Sequence, residues 1–190
     1  MKTAIATVVL SACLFSVPAL NSQAPSAPAP PPPVVTANPV MWSAQQIYTR
    51  QEKYIIDSGE AMPADKYSFH PTPDQKSFGW IMSHLAASNG GLCAILSDGK
   101  APAETKVAET ASKAELQAAL KASFDYCDPI MAGLTDAKLG DTITFFRGAK
   151  VPRARAVIEI TGDLMDHYSQ MAMYLRLNGV LPPSAAPKKP

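Results

Sequence analysis

The side chains best suited to chemistry are two of the three histidines and one carboxylate. Asp163 and His167 lie at positions i and i+4 of the last helical segment, and Gln170 and Tyr174 follow at i+7 and i+11. This spacing predicts one polar line, and a candidate pocket, beside the apolar face of a helix. His84 occupies the corresponding shoulder of an earlier helix. Two imidazoles and a carboxylate can bind zinc or another divalent ion and leave positions open for water or substrate. The alternative is a metal-free polar pocket in which Asp163 is solvated or forms a salt bridge.

The other reactive side chains support no catalytic assignment. His70 has no ligand-like neighbour at helical spacing, which favours a solvated loop residue. Gly90 and Gly91 lie inside a helical pattern with no preceding strand, so they do not form a phosphate-binding loop. Cys93 and Cys127 have no histidine or other base nearby in the sequence. The catalytic residue is therefore unknown at this stage.

Cys93 and Cys127 are instead candidates for a disulfide. Loss of Cys13 with an N-terminal signal would leave an even number of cysteines in an oxidising compartment. The two residues lie at similar depth if their helices run parallel. The alternative is a pair of reduced, buried cysteines that act as small apolar residues.

The N-terminal residues predict export. Lys2 precedes an uncharged and largely apolar run, the pattern of a signal peptide, which we assign to residues 1–20. The segment Leu10–Cys13 resembles a bacterial lipobox, so lipidation of Cys13 is an alternative to cleavage that releases a soluble protein. We expect a periplasmic or extracellular protein that contacts a membrane only if Cys13 is lipidated.

The charge balance bears on the class of partner. Seventeen Lys and Arg against sixteen Asp and Glu give a net charge of +1, without the basic excess typical of nucleic-acid-binding proteins. We therefore expect no nucleic acid partner. A small-molecule substrate is compatible with this composition, and a homodimer is left open.

Four amphipathic helical segments predict an all-α fold, a four-helix bundle over residues 42–180. Capping boxes at Ser43–Gln46 and Ser112–Glu115 indicate where the first and third segments begin. Pro129 is expected to kink or shorten the third segment. Residues 142–146 have a strand-like composition, but one short run cannot make a sheet.

Apolar residues recur at helical spacing in each segment. The predicted core positions are Ile47, Tyr54, Ile55, Phe78, Ile81, Leu85, Leu92, Ile95, Leu116, Leu120, Phe124, Tyr126, Val157, Ile160, Leu164, Tyr168, Met171 and Leu175. Pro152 favours the start of the fourth helix, and Asn178 with Gly179 favours its end. The proline-rich flanks predict a linker over residues 21–41 and a disordered tail over residues 181–190.

Several motifs resemble those of the DinB-like proteins. They are Met62–Phe69, Pro71–Pro73, Ser77–Gly79, His167–Tyr168, Tyr174–Gly179 and Pro182–Pro183. The resemblance covers nearly all of the chain after the linker. It implies a four-helix bundle of up-down-down-up order, which in this family often holds a divalent metal, zinc or nickel, by three histidines. His84 and His167 match two of those positions, and Asp163 stands where the third histidine is expected.

The resemblance also implies two functions. Related members are thiol-dependent transferases or isomerases and metal-dependent hydrolases, so one hypothesis is a metal-dependent enzyme of transferase or hydrolase type. The other hypothesis is a non-catalytic binding or structural module whose metal site has decayed. The presence of Asp163 in place of the third histidine favours this second hypothesis. The implied topology needs a long connection between the second and third helices. Residues 98–111 can span up to ~46 Å, more than the ~30 Å of a 20-residue helix.

Overall fold

Four α-helices make up most of the computed structural model, which describes residues 37–187. They are α1 (Pro39–Ala61), α2 (Phe78–Ser97), α3 (Lys113–Gly133) and α4 (Arg153–Leu177). The predicted signal peptide, Cys13 and the linker as far as residue 36 lie outside the described residues. Within the described part of the chain, no helix is both long enough and apolar enough to span a bilayer.

Helix α1 begins earlier than the sequence predicted. Pro39 is its first residue, where proline needs no backbone hydrogen bond. The Asp136 carboxylate accepts from the two amides that follow, at 3.0 and 2.8 Å. Ser43 is therefore inside the helix, and its hydroxyl donates to the Pro39 carbonyl at 2.7 Å instead of capping the start. The linker predicted for residues 21–41 was too long by the three residues from Pro39 onward.

The starts of the other three helices follow local signals. Ser77 caps α2 by accepting from the Trp80 amide at 3.0 Å. The predicted capping box of α3 is confirmed, because Ser112 and Glu115 exchange hydrogen bonds in both directions. Helix α4 follows Pro152 as expected. The predicted shortening at Pro129 was wrong, since α3 continues through it to Gly133.

Contacts between α2 and α3 show that these helices run parallel. Asn89 donates to the Ser123 hydroxyl at 3.2 Å, and Cys93 is bonded to Cys127. Both pairs are separated by 34 residues, so residue numbers increase in the same direction along the two helices. The long connection from residue 98 to residue 112 spans the bundle between them.

Helices α1 and α3 run antiparallel, and so do α2 and α4. Lys113 at the start of α3 donates to the Met62 carbonyl at the end of α1, at 2.8 Å. Tyr174 near the end of α4 donates to the Lys76 carbonyl just before α2, at 2.8 Å. Arg153 at the start of α4 forms an ion pair with Asp98 at the end of α2, at 3.6 Å. The order is therefore up-down-down-up, and the predicted four-helix bundle is confirmed.

The core is built from most of the positions that the sequence predicted on α2, α3 and α4, while Ile95 and Tyr126 are only half-buried at its edge. Its buried members include Phe78, Ile81, Leu85, Leu92, Leu116, Leu120, Phe124, Val157, Ile160, Leu164, Met171 and Leu175. On α1 the predicted face was rotated, because Met41, Tyr48 and Ile55 are buried while Ile47 and Tyr54 are only half-buried. Burial of such side chains is the main favourable term in folding.

Two shorter segments also depart from the prediction. Residues 142–144 pair antiparallel with residues 150–152, so the strand-like run forms a small hairpin, β1 and β2. The chain after α4 was expected to be a disordered tail from residue 181. Instead Pro182 is buried, and the Ser184 amide donates to the Tyr168 hydroxyl at 2.9 Å. Tyr168 stacks on Tyr54 of α1, so this segment packs beside the first helix.

Candidate metal centre

The predicted metal ligands meet in the seam between α2 and α4. One ligand atom from each of His84, Asp163 and His167 lies within 4.8 Å of the other two. The Oδ1 atom of Asp163 is 3.5 Å from His84 Nε2 and 3.3 Å from His167 Nδ1. The i, i+4 spacing on α4 places two of these groups on one face, and antiparallel packing brings α2 to the same level.

A backbone contact orients the His167 ring. Its Nδ1 atom lies 2.9 Å from the Asp163 carbonyl oxygen, which can only accept a hydrogen bond. Nδ1 therefore carries the proton, and Nε2 keeps its lone pair in the neutral ring. Metal-binding histidines commonly donate their second ring N–H to such a partner, which fixes the tautomer.

The electrostatics of the cluster favour an ionised carboxylate. Burial raises the pKa of Asp163, but hydrogen bonds from His167, His84 and Ser88 outweigh it and hold the pKa well below its usual range. Burial also lowers the pKa of His167, but its hydrogen bonds to Asp163 and the charges of Asp163 and Asp166 raise the pKa overall. The carboxylate thus stabilises positive charge in this seam.

The cluster is partly exposed to solvent. The exposed fraction of the side chain rises from 10% for His167 to 21% for Asp163 and 33% for His84. A surface groove of about 960 Å³ lies elsewhere, between α1 and the C-terminal segment, where Arg50 and Pro183 contribute to its lining. None of the three cluster residues lines that groove.

Two further α2 residues complete the site, and the sequence analysis did not identify them. The Trp80 ring stacks on His84 with centroids 4.8 Å apart and an interplanar angle of 6°. The Ser88 hydroxyl donates to Asp163 Oδ2. Both residues are four positions from His84, so the i±4 spacing around this histidine was the available signal.

Gln170 and Tyr174 have other partners. Gln170 donates to the Asp166 carboxylate at 3.0 Å. Tyr174 is buried, and its ring meets Phe69 edge-on with centroids 6.0 Å apart. No contact described within residues 37–187 joins either side chain to the three clustered residues, so their role in a pocket stays a prediction. His70 is an exposed loop residue, as expected.

The two candidate disulfide cysteines are bonded in the structure. Cys93 and Cys127 have Cα atoms 5.4 Å apart and link the parallel helices α2 and α3. Both residues are fully buried. The bond is therefore remote from solvent, and neither sulfur is available as a nucleophile while it persists.

The sequence and the fold agree on a family. The family model described as the DinB superfamily matches residues 48–171, which include the whole His84, Asp163 and His167 cluster. The chain belongs to the DinB superfamily. Comparison with the curated proteins finds no match.

Solved structures share the fold of this DinB superfamily protein. A DinB-like protein from Bacillus cereus has 18% identity and a TM-score of 0.61, over 75% of this chain and 95% of its own. A DinB-like protein from Bacillus subtilis has 20% identity and a TM-score of 0.59, over 72% and 92%. A conserved protein from Enterococcus faecalis has 20% identity and a TM-score of 0.59, over 73% and 96%. At these identities the likeness shows the fold alone.

Proposed function

We propose that this DinB superfamily protein is an exported, divalent-metal-binding enzyme of thiol transferase or hydrolase type that acts on a small molecule. The observation that carries the proposal is the convergence of His84, Asp163 and His167 from two helices. Two imidazoles and a carboxylate form a donor set suited to zinc, nickel or a similar ion. A divalent ion held there supplies a Lewis acid, which lowers the pKa of a bound water or thiol or polarises a carbonyl.

The protein's own groups have separate roles in this proposal. Asp163 supplies negative charge next to both imidazoles, since its pKa is held low. The Nδ1 atom of His167 is hydrogen-bonded to the Asp163 carbonyl, so Nε2 is the atom whose lone pair is available to bind a metal. His84 is the most exposed of the three, so we expect a small molecule to approach the ion from its side. Aspartate is shorter than histidine, so we expect weaker zinc affinity than a three-histidine site would show. Because it offers an oxygen in place of a nitrogen, we also expect a shift towards harder ions.

A non-catalytic module with a decayed metal site is the second candidate. It is favoured by the hydrogen bonding of Asp163, whose two oxygens already lie against Ser88, His84 and His167. Such a network is satisfied without an ion, because the carboxylate has partners on both oxygens. In this candidate the network persists as a rigid element of a binding protein.

Metal analysis of the purified protein separates the two candidates. We expect stoichiometric divalent metal before chelation, its removal by a chelator, and its return when zinc or nickel is added. Calorimetric titration should give one site per chain. Protein that carries no stoichiometric metal and binds none at micromolar concentration contradicts the enzyme proposal and favours the decayed site.

Export is proposed on the N-terminal pattern of residues 1–20, and the disulfide supports it. Disulfides persist in oxidising compartments and are rare in the cytosol. Fractionation of cells that express the full chain should place the protein outside the cytoplasm. Mass analysis of its N-terminus distinguishes a cleaved soluble form from one lipidated at Cys13. A cytoplasmic protein that retains Met1 contradicts both forms.

A further inference from the structure

The two carboxylate oxygens of Asp163 have different partners, and Ser88 binds one of them. Its hydroxyl donates to Oδ2 from α2, on the opposite side of the seam from α4. The other oxygen, Oδ1, is the one that lies 3.5 Å from His84 and 3.3 Å from His167. One carboxylate oxygen is therefore engaged by a neutral donor, and the other is directed at the imidazoles.

This division addresses a problem that arises from aspartate at this position. The carboxylate of aspartate can rotate about its Cβ–Cγ bond, so that either oxygen faces the imidazoles. A ligand held in one orientation loses less conformational entropy when it binds, which is how outer hydrogen bonds raise the affinity of metal sites. Asp163 also has a short reach, so an orientation imposed from α2 matters more than it would for a longer ligand.

The position of Ser88 is well suited to hold that orientation. It lies four residues after His84, so both side chains face α4 from adjacent turns of one helix. Trp80 lies four residues before His84 and packs against the imidazole ring. Helix α2 thus contributes the His84 ligand, the Trp80 ring that packs against it, and the Ser88 hydroxyl that binds Asp163.

We propose that Ser88 is a positioning residue of the metal centre. Its hydroxyl binds Oδ2 of Asp163, so that Oδ1 is the single atom of this carboxylate that binds the metal. The inference rests on the proposed metal site. It predicts that the hydroxyl acts only through Asp163, and that a threonine hydroxyl can replace it.

Calorimetric titration with zinc alone tests this inference. Ser88→Ala should weaken zinc binding about tenfold, the lower end of the range for outer-shell partners. Ser88→Thr should retain affinity within about twofold of the parent, as the smallest change that keeps the donor. Ser83→Ala is the matched control, because Ser83 is on the same helix and its hydroxyl donates to the Val107 carbonyl at 2.6 Å, away from the cluster. We expect parental zinc affinity in that control.

A double-mutant cycle distinguishes positioning from a general structural effect. In an Asp163→Ala background, Ser88→Ala should cause no further loss of zinc affinity. An equal loss in both backgrounds, or a loss no larger than that of Ser83→Ala, overturns the inference while the metal site stands. A parent chain that binds no zinc overturns the proposed function, and the inference with it. Thermal unfolding in the presence of chelator checks that every variant is folded.

Discussion

The imidazole rings of His84 and His167 stack face to face across the α2–α4 seam, with centroids 4.6 Å apart and an interplanar angle of 29°. Asp163 lies against both of them, so each group supports the position of the other two. If these side chains bind a metal, the loss of either imidazole should remove an essential ligand. The arrangement therefore allows a direct comparison of single substitutions.

Single substitutions in the cluster should change zinc affinity in opposite directions. We expect His84→Ala and His167→Ala each to abolish binding, a loss greater than about 100-fold, because loss of an outer partner already costs 10- to 100-fold. Asp163→His should strengthen binding, since it restores three nitrogen donors. His70→Ala is the control, because His70 is exposed in a loop. If all of these variants bind zinc as the parent does, the cluster is not a metal site.

The disulfide should account for a large part of the stability. Cys93 and Cys127 close a chain interval of 34 residues, worth about 4 kcal/mol on the loop-entropy relation. Reduction, or Cys93→Ser with Cys127→Ser, should lower the free energy of unfolding by that order in denaturant titrations. Zinc affinity should change little, because the bond is not in the α2–α4 seam.

Thiol titration provides an independent check on the bond. In a Cys13→Ser chain, the denatured but unreduced protein should show no free thiol, and reduction should release two. Two free thiols before reduction would identify Cys93 and Cys127 as buried, reduced cysteines.

Most of the local features predicted from the sequence depend on short-range spacing. The capping box of Ser112 and Glu115 involves an i, i+3 pair, and the polar pair of Asp163 and His167 involves i, i+4. In both pairs the two residues lie about one helical turn apart, so the spacing can be recognised in the sequence. The start of α1 was missed because its amides are bound by Asp136, 96 residues further along the chain from Val40.

The same distinction applies to the site and to the tail. The sequence predicted His84 as a ligand only through its helical position and the family resemblance. Ser88 was missed because its partner, Asp163, is 75 residues away, and serine in a helix has many other uses. The C-terminal segment has the composition of a disordered tail, and its partner is distant in the sequence. Tyr168, which is buried where α4 packs on α1, provides the acceptor for the Ser184 amide.

Glu52 on α1 should make stability depend on pH. Burial, and then the charges of Asp128 and Asp125, raise the pKa of Glu52 from 4.5 to about 6, while Lys121 lowers it. The folded chain therefore holds this proton more tightly than the unfolded chain. Between about pH 4.5 and pH 6 the Glu52 contribution to the free energy of unfolding falls as the pH rises, and above pH 6 it stays unfavourable.

Glu52→Gln should relieve that unfavourable charge. We expect the free energy of unfolding to rise by about 1 kcal/mol at pH 7, roughly half of what the pKa shift alone gives, because the group is partly exposed and screened. The gain should vanish below about pH 4.5. Glu60→Gln is the matched control, an exposed residue on the same helix. An equal gain for both variants, or a gain that persists at pH 4, contradicts this assignment.

Trp80 should report directly on whether metal binds at His84. Its indole ring lies on the imidazole at 4.8 Å, and a positive charge on that imidazole interacts with the ring face. The chain has two tryptophans, and Trp42 is 38% exposed at the start of α1. In Trp42→Phe, zinc should therefore change the fluorescence emission of Trp80, with the same midpoint as the calorimetric titration.

The change in emission should be absent in Trp42→Phe with His84→Ala, and also in Trp80→Phe, where only Trp42 emits. Stoichiometric zinc binding that leaves Trp80 emission unchanged would place the ion away from His84, because a ligand stacked on the indole cannot acquire a charged partner without altering its environment.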